Sequence, residues 1–84
     1  MKTEVKRWMV EYDHKDGRNG KAEATTEIYK SGDFSYGNGM AGRINVNDDA
    51  WARNYDLRYE KGDLHRLMLA DYFGNGLVNA IEIV

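Results

Sequence analysis

The chain of 84 residues contains no cysteine. That removes disulfides, thiolate metal sites and cysteine nucleophiles, and it fits a reducing compartment. Proline is absent as well, so no strand need be interrupted by a residue without a backbone N–H. No run approaches the roughly 20 apolar residues that a membrane-spanning helix requires. The N-terminus lacks the apolar stretch of a secretory signal. Excess positive charge is missing too: 12 Lys and Arg stand against 14 Asp and Glu, for a net charge of −2. With a sequence pI near 5.6, the chain lacks the basic balance that generic nucleic-acid or anionic-membrane binding favours. These absences lead us to expect a soluble, cytoplasmic protein with no membrane partner.

What is present suits one small globular unit. A chain of this length makes a single domain, residues 1–84. It buries only about 60–65% of its unfolded surface, so its stability should be modest. An apolar content of 42%, with two Trp, six Tyr and two Phe, is enough for a real core.

The C-terminal third gives the clearest local pattern. Asp63 is a good N-cap for a helix over Leu64 to Phe73, although Arg66 stands where a capping box would place Glu or Gln. Leu64, Leu67, Met68, Leu69 and Tyr72 share a broad apolar arc. Gly74 fits the left-handed position that ends many helices. Leu77 to Val84 then alternates as a strand, and its odd-numbered face (Leu77, Asn79, Ile81, Ile83) is the greasier, so the core is expected there. His65 and Asp71 fall inside the helical arc six residues apart. Side chains that meet on a helix are three or four apart, so both are read as boundary residues rather than an acid–base or metal pair.

Upstream, Val5 to Tyr12 alternates with apolar residues on both sides, which suits an interior strand. Asp13 to Gly20 reads as a turn carrying two hairpin dipeptides, Asp16-Gly17 and Asn19-Gly20. Lys21 to Lys30 is a strand with Ala22, Ala24, Thr26 and Ile28 inward. Ser31 to Gly42, with four glycines, reads as a wide loop or flap. Arg43 to Asn47 is a short strand with Ile44 and Val46 inward, Asn47-Asp48-Asp49 a turn, and Ala52 to Glu60 a strand. The fold class is therefore α+β: a four-strand meander plus a C-terminal strand, with one helix packed on one face. If the helix crosses that face, the last strand comes to lie antiparallel beside the first. The sheet's other face is left for a partner or a second copy of the chain.

No motif commits the chain to chemistry. Gly37-Asn38-Gly39-Met40-Ala41-Gly42 matches G-x-G-x-x-G, but a strand follows where a dinucleotide fold needs a helix. The glycines are better read as loop or bulge positions. The polar runs around Asp13 to Asn19 and Asn45 to Asp49 lack the alternation of a Ca²⁺ loop. The only histidines, His14 and His65, form no zinc set. No spacing implies a nucleophile with its base, so we expect no enzyme, no cofactor and no metal.

The expectation is a non-catalytic protein-interaction module, with Phe34, Tyr36, Met40, Asp48, Asp49, Trp51 and Tyr55 as its candidate contact residues. The alternative is a single-stranded nucleic-acid binder, with Trp51, Arg53 and Tyr55 on one strand face as a stacking platform and Arg43 and Arg58 nearby. Charge makes nucleic acid the less favoured partner, because Asp48, Asp49, Asp56 and Glu60 crowd the same region. In size and composition alone (short, acidic, without Cys or Pro) the chain resembles accessory proteins of phages and mobile elements, including inhibitors of host defence systems. That resemblance implies a regulator or inhibitor that works by covering a partner's surface, or by presenting carboxylates where DNA phosphates would bind.

Overall fold

Alternating side chains make the two long strands that carry the rest of the chain. Strand β1 runs Glu4–Asp13 and β2 runs Asn19–Lys30. They are antiparallel, with Trp8 opposite Ala24 and Val10 opposite Ala22. A computed structural model describes residues 4–13, 19–30, 39–47, 51 and 53–84. The remaining elements are β3 (Met40–Val46), β4 (Arg53–Asp56), α1 (Leu64–Phe73) and β5 (Leu77–Ile83), with a 3₁₀ turn at Gly74–Gly76 between the last two. The strand order is β4-β3-β2-β1-β5, with every neighbouring pair antiparallel. This is the expected α+β arrangement: a four-strand meander, one helix on one face, and a last strand beside the first.

Local chemistry fixes the helix. The Asp63 carboxylate accepts the Arg66 backbone N–H at 3.2 Å, and Gly74, at φ 62°, donates its N–H to the Ala70 carbonyl. Packing fixes where α1 lies. It crosses β2, β3 and β5 and buries His65, Met68 and Leu69. Trp8, Val10, Ala24, Ile44, Leu69 and Ala80 form one core cluster, and Ile28, Leu57 and Met68 form a second beside it. No helix among the described residues is long and apolar enough to cross a membrane.

Several expectations are corrected by this packing. Met40, Ala41 and Gly42 belong to β3, not to a loop. A Cβ on Gly42 would sit 2.6 Å from Met68 Sδ and 2.8 Å from Leu57 Cδ1, so the glycine admits the helix to the sheet rather than a phosphate to a loop. Residues 31–38, with Phe34, Tyr36 and most of the glycine motif, lie outside the described residues. Asn19 and Gly20 are strand residues, paired with Asp13 and Tyr12, so the second hairpin dipeptide makes no turn; Asp16-Gly17 is outside the description. Strand β4 is only Arg53–Asp56. It stops where the Asp56 carboxylate takes the Arg58 backbone N–H at 3.1 Å and its guanidinium at 2.7 Å, a local bond that competes with the ladder.

The face of β5 is also reversed from expectation. Antiparallel neighbours share a face, and Ala80 lies opposite the buried Val10. Ala80 therefore faces the core, while Ile81 and Ile83, opposite Met9 and Arg7, face away from α1. A register shift between Glu11 and Tyr12 lets Leu77 still pack against the core.

Candidate interaction surface

Beneath the helix a short polar chain crosses the core. The Trp8 indole donates from Nε1 to Thr26 Oγ1 at 2.8 Å, and Thr26 Oγ1 lies 2.7 Å from His65 Nδ1. The hydroxyl has one proton; with Trp8 donating to its oxygen, that proton is best placed toward Nδ1. All three residues are buried, and His65 Nε2 has no hydrogen-bond partner among the described residues. Burial first, and the charge of Lys6 second, hold the His65 pKa below the usual histidine value. His65 is thus a core residue rather than a boundary one. Its role is to tie α1 to β1 and β2. Among the described residues no group of three or more His, Cys, Asp or Glu could hold a metal ion.

The residues singled out from sequence do not form one site. Phe34, Tyr36, Asp48 and Asp49 lie outside the described residues. Met40 is half-buried against the Ile28–Leu57–Met68 cluster, and Tyr55 packs between both clusters on the helix side. Trp51 is exposed. Its ring stacks under the Arg43 guanidinium at 4.0 Å, and Arg43 also bonds Glu27 at 2.6 Å. Both Arg43 and Glu27 face away from α1, since they alternate with the buried Ile44 and Ile28.

The supposed stacking platform is therefore divided between faces. Arg53, opposite Ile44, lies on the helix side and reaches Asp71 at 3.1 Å. The Asp71 carboxylate, as its hydrogen-bond partner, raises the Arg53 pKa further. The Tyr55 hydroxyl is buried beside this pair without a well-formed hydrogen bond. Burial first, and Asp71 second, push its pKa up to about 12. Arg58 pairs with Asp56 at 2.7 Å and holds that carboxyl below its usual pKa. Each of the three arginines proposed for nucleic acid thus meets a carboxylate within the chain.

A different surface is left uncovered. On the face away from α1, Val5 is 55% exposed, Met9 41%, Ile81 58% and Ile83 37%. Met9 and Ile81 are directly opposed across β1 and β5, and Ile83 sits opposite Arg7. On the same face Arg7 bonds Glu23 of β2. Strand β5 is also the edge of the sheet. The signal for this patch was present in β1, where Val5 and Met9 make the second face apolar. It was hidden in β5, where the greasier face was assigned to the core.

Compared with protein-family models, with curated proteins and with solved structures, the chain matches none.

Proposed function

We propose that this is a non-catalytic protein-interaction domain, a regulator or inhibitor that works by covering a surface of its partner with the open face of its sheet. One observation carries the reading. Four apolar side chains, Val5, Met9, Ile81 and Ile83, lie together on β1 and β5 on the side that α1 does not cover. A sheet normally keeps one face apolar for its own core and the other polar for water. Here the outward face of two adjacent strands sets four exposed apolar side chains among Arg7, Glu11 and Asn79, and such patches with polar rims mark contact sites. Trp51, exposed and stacked on Arg43, extends the same face toward β3. Nucleic acid is the weaker reading, because Arg43, Arg53 and Arg58 are each matched by a carboxylate.

The test compares two baits, the wild-type chain and the variant Met9→Lys/Ile81→Lys, in nuclease-treated lysate of the source cell. The expected result is a stoichiometric protein retained by the first and lost by the second, with both baits melting within a few degrees of each other. Equal capture by both would place the contact elsewhere and overturn the assignment of this face.

A further inference from the structure

We infer that the open face of β1 and β5 binds a second copy of this chain, sheet against sheet, about a two-fold axis that runs across the strands through the Met9–Ile81 row. The inference rests on the reading of that face as an interaction surface and names its occupant.

The argument is charge complementarity. Side chains on one face of a strand recur every second residue, about 7 Å apart. On β1 the open face therefore reads Val5, Arg7, Met9, Glu11. Arg7 and Glu11 flank Met9 symmetrically, with opposite signs. Among the described residues Arg7 is bonded to Glu23, while Glu11 has no ion-pair partner. An axis across the strands reverses strand direction. It lays Met9 on Met9 and Ile81 on Ile81 of the second copy, and it brings each Arg7 over the Glu11 of the other. An axis along β1 would instead set Arg7 on Arg7, and one midway between β1 and β5 would set Arg7 on Ile83. Only the axis across the strands brings opposite charges together.

The rim also argues against a strongly charged partner. Arg7 and Lys21 stand against Glu11 and Glu23 around the apolar centre, so a partner of either single sign would be repelled by half of them. A copy of the same chain pairs Arg7 with Glu11 twice over, while Glu23, in the Met9 row, stays with the Arg7 of its own chain and Lys21 comes to lie over Thr25.

Size sets the expected strength. Four strands sharing at least seven residues, with the four-residue β4 beside them, give at about 4.8 Å spacing a face on the order of 500 Å². Doubled, that is the lower end of specific interfaces, so association should appear in the micromolar range rather than below it. Face-to-face packing at about 10 Å leaves Arg and Glu side chains room to meet.

The test is sedimentation equilibrium over a concentration series from low micromolar to millimolar, with circular dichroism as the folding control. The wild type is expected to form dimers. Arg7→Glu and Glu11→Arg should each weaken dimerisation by about tenfold or more, and the double variant Arg7→Glu/Glu11→Arg should recover most of it. Recovery is the decisive reading, since a merely structural role of either residue would not produce it.

Three outcomes would overturn the inference. The wild type could stay monomeric throughout. The dimer could be indifferent to both charge reversals, which would move the contact to another surface such as the β5 edge. Or the double variant could fail to recover. A monomeric wild type whose bait still loses its captured protein on Met9→Lys/Ile81→Lys would remove the second copy while leaving the interaction face standing.

Discussion

Thr25 and Thr26 are neighbours on β2 and occupy two different environments. Thr26 is fully buried beneath α1, where its hydroxyl serves both Trp8 and His65. Thr25 points the other way, half-buried between Arg7 of β1 and Asn45 of β3. On the covered face the Thr26 hydroxyl is held on both sides, although His65 Nε2 and the Tyr55 hydroxyl are buried there without a partner among the described residues. The uncovered face mixes ion pairs, such as Arg43 with Glu27 at 2.6 Å, with exposed Met9 and Ile81. So the polar network sits inside and an apolar patch sits outside, the reverse of the simple distribution. The difference shows which features hold the fold and which are left over for something else.

One substitution made at both positions should separate the faces most sharply. Thr26→Val keeps the shape but leaves the Trp8 N–H and His65 Nδ1 buried without a partner, and should cost about 1–3 kcal/mol. Thr25→Val removes a hydroxyl from a half-exposed strand position and should change stability by no more than about 0.5 kcal/mol. Urea denaturation of the two variants measures both. Equal losses would mean that the two faces do not differ as described.

The same network predicts a pH dependence of smaller size. Burial holds the folded-state pKa of His65 below its ordinary value of 6.5. The unfolded chain therefore binds the proton more readily than the folded one. The His65 contribution is fully present above about pH 6.5 and is lost as pH falls below it toward the folded pKa. Glu4, Asp63 and Glu82 oppose this shift and Lys6 reinforces it. Stability should thus fall between neutral and mildly acidic pH, and His65→Gln should flatten the curve over that interval. A wild-type curve that is flat there, or that rises, would show His65 to be exposed or ion-paired in solution.

What the sequence made legible was local. The helix bounds, the Asp63 cap and Gly74 depend on neighbours in the chain, and the structure repeats them. The inward set of β2 was equally plain, because Ala22, Ala24, Thr26 and Ile28 alternate without interruption. What depends on partners distant in sequence was not legible. His65 looked like a boundary residue because its depth is set by Trp8 and Thr26, far away along the chain. In the alternation from Trp51 to Glu60, the odd-numbered residues looked like one strand face. Yet the ladder covers only Arg53–Asp56, so Trp51 and Tyr55 part company. The face of β5 was misassigned for the most instructive reason. The greasier side was taken as the core, but opposite Val10 the chain supplies Ala80, and the larger Ile81 and Ile83 go outward. A pattern rule fails where apolar side chains are placed for something other than the chain's own core, and such failures are where functional surfaces are to be sought.

The smallest expected effect is the sharpest test of that last point. Ile81→Thr keeps a β-branched residue in the strand and removes apolar surface from a side chain that is 58% exposed. At low protein concentration, where the chain is monomeric, it should change stability by less than about 0.5 kcal/mol. A loss near the one to several kcal/mol of a buried deletion would mean that the chain covers Ile81 itself. At high concentration the expectation changes. A partner that binds only the folded chain adds stability by mass action, so the wild type should melt at rising temperature as concentration increases. The variant should not follow it. Because the difference between the two proteins would then depend on concentration alone, it could not come from any contact inside one chain.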